Sequence, residues 1–344
     1  MTARPPMGLV SVVVPTRNRR RLVGRALTTV LQQREVDLEI VVVVDGSPDG
    51  TADALRRIDG PITIVEHDCA LGVSRARNAG IACARGEWLA FLDDDDVWAP
   101  DKLATQLGAA RDAPGVGWVM AGATAVGDDL RLIGEQPVPD VDDVARQLLA
   151  FNVVPGGGSG VLARAELVRE LGGFDPDYSN LADRDLWIRL ALAAPAASAQ
   201  RPLVGYVIHD HGMAHDVHRS AVERDAINRK YAAERAAHGH GDDDSRAWLA
   251  YLGGMYLRAG DRLDAARVHA RLARRHGVPR AWLLAAVGLA FPNVQRWRDR
   301  RAASAIEPEW RAATMRWLAP LQDRERAGDP WLLGGTPECA TGTS

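Results

Sequence analysis

The residues best equipped for chemistry form one run, Asp93, Asp94, Asp95 and Asp96, directly after the apolar stretch 88–92. Four adjacent carboxylates repel one another, and burial strips each of its hydration. When such a run follows a buried strand, a divalent cation with oxygen ligands is the natural counter-charge. A solvated acidic turn that caps the next helix is the plainer reading. On the run alone the two stand level.

Two other apolar runs end in polar clusters in the same way. Residues 9–14 are mostly β-branched and stop at Pro15, Thr16, Arg17 and Asn18, and residues 38–44 stop at Asp45, Gly46 and Ser47. Both runs have the profile of buried strands. Between them Leu22, Ala26, Leu27, Val30 and Leu31 recur at helical spacing, which predicts an amphipathic helix over 19–33. A short strand at 62–65, a helix at 73–84 and a strand at 88–92 complete the alternation. This order predicts an α/β fold with a mostly parallel sheet flanked by helices. Ligands of such sheets sit beyond the carboxyl ends of the strands, where all three polar clusters fall. Neither G-x-G-x-x-G nor a P-loop follows the first strand. A nucleotide would therefore be held by side chains and metal.

The 344 residues suffice for a large core, with 47% apolar and 25% charged residues, the values of a soluble globular protein. A net charge of −3 gives no case for a nucleic-acid partner. Cys69, Cys83 and Cys339 are widely spaced, so neither a disulfide framework nor a zinc site is supported, and a reducing cytoplasm fits. The N-terminus lacks the apolar core of a signal peptide, and no window is long enough to span a bilayer.

Five segments resemble family 2 glycosyltransferases of the GT-A fold. They are V-S-V-V-V-P-T-R-N, E-I-V-V-V-V-D-G-S-P-D-G-T, G-V-S-R-A-R-N-A-G, F-L-D-D-D-D-V-W-A-P-D-K-L and G-G-F-D-P-D-Y-S-N-L-A-D-R-D-L-W-I-R-L. Together they cover the first 220 residues or so, and their order makes the set far more specific than any one of them. The resemblance implies a metal-dependent, inverting transferase of a nucleotide-diphosphate sugar, a UDP-sugar favoured, acting on an acceptor hydroxyl of unknown class. It implies that Pro15, Thr16 and Arg17 line the base and ribose and that Asp45 accepts a hydrogen bond from the base; Val44 stands where many members carry a second acid. Arg75 or Arg77 would pair with the diphosphate. Asp95 would ligate Mn²⁺ or Mg²⁺, with Asp93 and Asp94 holding ribose and sugar or supporting the metal shell, Asp93 as a further ligand. Asp96 is read as the cap of a helix over 100–110. Trp98 either stacks on a sugar or packs beneath the loop.

Asp183 lies where the family places its general base, in A-D-R-D-L instead of E-D-x-D-L, with Ala182 replacing the glutamate. Asp185 is its competitor. His209, in G-Y-V-I-H-D-H-G-M-A-H-D, would add a metal or phosphate contact, with His211 and His215 less well placed. The glycine-rich run 156–160 is either a flexible turn or a loop that lets backbone approach the donor.

From about Ser245 the composition turns to Ala, Leu, Arg and Trp at helical spacing, resembling at most one tetratricopeptide unit. Residues 258–301 hold eleven Arg and three Asp, read as a helical cap or as a peripheral contact with the inner face of the membrane. The expected division is a catalytic domain over 1–225, a helical region over 226–327 and a disordered tail over 328–344. An oligomer is compatible with all of this. Two rivals remain: a nucleotidyltransferase, which would normally carry a glycine-rich first loop, and a non-catalytic sugar- or partner-binding module on a decayed transferase fold.

Overall fold

The computed structural model describes residues 8–209, 216–241, 246–290 and 294–328. The chain alternates β1 (Val10–Thr16), α1 (Arg20–Leu31), β2 (Leu38–Asp45), α2 (Thr51–Leu55), β3 (Ile62–His67), α3 (Val73–Cys83) and β4 (Trp88–Phe91). Then come β5 (Val97–Trp98), α4 (Lys102–Asp112), β6 (Trp118–Val126), β7 (Leu132–Gln136) and α5 (Val144–Ala150). A 3₁₀ turn (Gly157–Gly160), β8 (Val161–Arg164), α6 (Ala165–Glu170), α7 (Ala182–Ala193) and β9 (Ala196–Val207) follow. The rest is helical: α8 (Val217–Lys230), α9 (Ala232–Ala237), α10 (Arg246–Arg258), α11 (Arg262–His276), α12 (Pro279–Ala290), α13 (Val294–Ser304) and α14 (Pro308–Ala327).

All strands join one sheet in the order β3-β2-β1-β4-β8-β6-β9-β5, with β7 beside β6. The first four are mutually parallel. Beyond them β8 runs antiparallel between β4 and β6, and β9 runs parallel to β6. The sheet is thus parallel in its first half and mixed in its second. Helices cover both faces, which is why β1 is buried along its whole length. Alternation along β1 divides the core: Val10, Val12 and Val14 meet Val23 and Leu27 of α1, while Val13 faces the layer of Ile81, Trp187 and Leu148.

The final helix returns to this sheet. Trp310 Nε1 donates to Thr124 Oγ1 at 3.0 Å, Trp317 Nε1 to the Pro202 carbonyl at 2.8 Å, and Gln322 Nε2 to the Leu130 carbonyl at 2.8 Å. Leu318 and Leu321 fill the gap among Val97, Val126 and Val207. Glu325 pairs with Arg21 and lies 4.0 Å from the buried Arg25. By contrast α10, α11 and α12 form a layer of their own, with the His269 ring seated where Gly253 leaves room; an added Cβ would lie 2.2 Å from it. No helix among the described residues is long and apolar enough to cross a membrane.

Candidate active site

The polar clusters at the ends of β1, β2 and β4 meet in a cavity of about 460 Å³. Pro15, Thr16, Arg17, Asp45, Arg77, Asp93, Asp94, Asp95, Asp183 and His209 all line it. The structure therefore brings these ten residues to one cavity. Arg75 is exposed and does not line it, leaving Arg77 as the inward arginine of its pair.

The turn after β4 is built by cross-links to three other segments. Thr16 Oγ1 donates to Asp94 Oδ2 at 2.8 Å, and Arg19 Nη1 donates to Asp94 and Asp95 at 2.9 Å each. His209 Nε2, just past β9, lies 2.8 Å from Asp95 Oδ2. Arg77 is buried, pairs with Asp93 and stands 4.9 Å over the Phe174 ring. Arg25 Nη2 donates to the Asp95 carbonyl at 2.8 Å and so ties the turn to α1.

Asp96 corrects the expectation of a helix cap. Its carboxylate is fully buried and accepts from Ser159 Oγ at 2.6 Å and from the Val207 N–H at 2.8 Å, while Asp101 holds the N-cap position of α4. Burial and the charges of Asp95 and Asp93 push the Asp96 carboxyl well up. Trp98 is also a packing residue: it is buried, donates Nε1 to the Ser159 carbonyl at 3.0 Å and lies under Lys102. Ser159 thereby ties the glycine-rich turn to the acidic one. That turn has to be glycine-rich, because Gly157 has φ +52° and a Cβ on Gly158 would come within 3.3 Å of the Arg77 guanidinium.

Electrostatics separates the aspartates. Burial and the neighbouring Asp95 charge push Asp94 up to about 7, despite Arg19 and Thr16. Burial also raises Asp95, but the His209 hydrogen bond and Arg19 outweigh it, and its carboxyl ends below the usual range. Among the described residues no three His, Cys, Asp or Glu side chains converge as a finished cation cage. The donor set nonetheless fits Mn²⁺ or Mg²⁺: one carboxylate and one imidazole face the pocket, and such cations complete their shell with water and phosphate oxygens. Asp93 is a further carboxylate on the same turn.

Asp45 is more occupied than its assigned role suggests. It accepts from the N–H groups of Leu71 and Gly72 at 2.9 Å and lies 2.7 Å from His67 Nδ1. Burial raises its carboxyl, these hydrogen bonds outweigh the effect, and the net shift is downward. A carboxylate has about four lone-pair sites, so one remains for a ligand. Asn18 makes a loop contact, its N–H donating to Ser47 Oγ at 2.9 Å.

Across the pocket Asp183 opens α7. Asn152 Nδ2 donates to its Oδ2 at 2.9 Å, and the Arg184 N–H donates to Oδ1 at 2.7 Å. Burial raises its carboxyl against the pull of Arg77. Its competitor Asp185 is fully buried away from the cavity, paired with Arg189 and Lys230 and hydrogen-bonded by the Tyr231 hydroxyl at 2.8 Å. His211 and His215 lie outside the described residues.

Some site residues escaped the sequence reading. Arg19 was signalled by the cationic run 19–21 placed opposite an acidic one. Tyr206, Tyr251, Met255 and Arg258 also line the cavity, and no local pattern marks them.

A sheet whose strand ends converge on an acidic turn, with a second carboxylate on a helix opposite, is the GT-A arrangement. Residues 11–162 match the model of glycosyl transferase family 2. An uncharacterized glycosyltransferase of Haemophilus influenzae is 26% identical over 231 residues, covering 66% of this chain and 75% of that one. The Escherichia coli UDP-Glc:alpha-D-GlcNAc-diphosphoundecaprenol beta-1,3-glucosyltransferase WfgD is 34% identical over 100 residues, 29% of this chain and 40% of its own length. The chain thus spans well under two thirds of that relative. The mannosyltransferase PcManGT of Pyrobaculum calidifontis, solved in complex with GDP-Man and Mn²⁺, shares the fold with a TM-score of 0.54 at 21% identity, over 95% of this chain and 90% of that one.

Proposed function

We propose that the chain is a metal-dependent, inverting glycosyltransferase that moves a sugar from a nucleoside-diphosphate donor, preferably UDP-linked, to an acceptor hydroxyl. One observation carries this reading: a single cavity joins the Asp93–Asp95 turn with His209 on one wall and the lone carboxylate of Asp183 on the other. The UDP-glucose in the name of the E. coli relative supports the choice of base, and Mn²⁺ beside GDP-Man in the mannosyltransferase supports the metal.

Pro15, Thr16, Arg17 and Asp45 would hold the nucleoside, and Arg19 and Arg77 the diphosphate. Asp95 and His209, with Asp93, would hold Mn²⁺ or Mg²⁺, which supplies positive charge to the departing diphosphate. Asp183 takes the proton of the acceptor hydroxyl as its oxygen bonds to the anomeric carbon. The bond from that carbon to the diphosphate oxygen breaks in the same step, and the nucleoside diphosphate leaves with the electron pair. Attack opposite the leaving group inverts the anomeric centre. The sealed position of Asp185 supports single displacement, since no second carboxylate of α7 reaches the cavity.

Calorimetric titration of UDP tests the metal assignment. Affinity should rise with Mn²⁺ and fall about tenfold or more after EDTA or in Asp95→Ala; affinity indifferent to both would overturn it. Turnover of one donor from a panel of nucleotide sugars would exclude a decayed binding module. Release of diphosphate from a nucleoside triphosphate would favour a nucleotidyltransferase.

A further inference from the structure

The outward face of α12 is apolar where a surface helix is normally polar. Trp282 is 50% exposed, Leu283 64% and Leu289 45%, and Ala286 and Ala290 are exposed on the same arc. Positions 282, 286 and 289 stack at i, i+4 and i+7 spacing, with 283 and 290 beside them. The protein uses the opposite face: Ala281 packs with Leu249 and Leu272, and a Cβ on Gly288 would lie 3.0 Å from Leu257. The inward contacts are thus made mainly by small residues, while Trp282, Leu283 and Leu289 face outward.

The surroundings are cationic. Residues 258–301 contain eleven Arg, three Asp and no Glu, a surplus of eight positive charges in a chain of net charge −3. All three carboxylates are engaged, Asp261 as the N-cap of α11, Asp264 with Arg267 and Asp299 with Arg258. Arg271, Arg274 and Arg275 of α11 and Arg280 of α12 are exposed. A second copy of this chain would bring like charge against like, whereas an anionic lipid surface complements both the charge and the apolar arc. At about 1.5 Å per residue a helix this short cannot span a bilayer and would lie in its interface.

We propose that α12 is an interfacial helix that docks this protein on the surface of a bilayer containing anionic lipid. Trp282, Leu283 and Leu289 enter the headgroup boundary, and the arginines of α11 and α12 meet lipid phosphates. The same helical layer walls the active-site cavity, because α10 presents Tyr251, Met255 and Arg258 to it. Docking would thus hold the open side of that layer against the membrane. The inference stands on exposure and charge and does not depend on the transferase reading.

Co-sedimentation of the full chain with phosphatidylcholine vesicles, with and without 30% phosphatidylglycerol, tests it. Binding should require phosphatidylglycerol and weaken at high salt. It should fall about tenfold or more in a Trp282→Asp, Leu283→Asp, Leu289→Asp variant that keeps the wild-type thermal unfolding transition. Arg274→Glu with Arg280→Glu should weaken it independently, without touching the apolar face. No sedimentation with either vesicle, equal binding by wild type and both variants, or a dimer that the apolar variant abolishes would each overturn the proposal.

Discussion

The turn after β4 and the first turn of α7 each place aspartates two residues apart, Asp93 with Asp95 and Asp183 with Asp185, and use them in opposite ways. On the irregular turn both carboxylates face the cavity, each with its own cation, Arg77 for Asp93 and Arg19 for Asp95. On the helix a two-residue step rotates the side chain by about 200°. Asp183 accordingly opens to the cavity, while Asp185 sinks among Arg189, Lys230 and Tyr231. Residue type alone therefore assigns nothing. The backbone beneath a pair of carboxylates decides whether both face one cavity or one of them sinks into the fold.

Substitutions on the two elements should separate these roles. Asp95→Ala should lower kcat/KM by about 10²–10³ in initial rates at fixed Mn²⁺. His209→Ala should follow with about a tenfold loss of metal affinity. Asp185→Asn should behave oppositely, leaving kcat of the folded enzyme near wild type while lowering stability in urea by about 2 kcal/mol; the loss is held below that of a fully buried pair because Lys230 and Arg189 reach solvent. A fall in kcat for that variant, with stability intact, would erase the distinction drawn on α7. The smallest effect is in pH. Because burial raises Asp183, the active carboxylate form is lost as pH falls through that raised value. The acid limb of kcat/KM should therefore lie above about 3.9, the ordinary Asp value.

The first half of the molecule was legible because parallel strands buried on both faces read as continuous β-branched runs. The expected strand at 38–44 is Leu38–Asp45, and the expected helix at 19–33 is Arg20–Leu31. Less of the second half was: V-L-A-R reads as a strand and is β8, and Leu186 to Leu190 read as a buried helix and lie in α7, but β6, W-V-M-A-G-A-T-A-V, has small residues without a decisive period. The return of α14 depends on pairs such as Thr124 with Trp310, which no local window contains. Within the site, the acidic residues were visible as a run, but the inward turn of Asp96 depends on Ser159 and Val207. The Arg258 contribution depends on a helical layer folding back over the cavity.

The central claim is that donor capture and proton removal belong to separate walls of one cavity. Asp183→Asn, measured in parallel for UDP-sugar affinity and for sugar transfer, tests it most directly. The account predicts donor affinity within about twofold of wild type and transfer reduced by about 10²–10⁴. Wild-type transfer by that variant, or loss of donor affinity matching the loss of transfer, would contradict it.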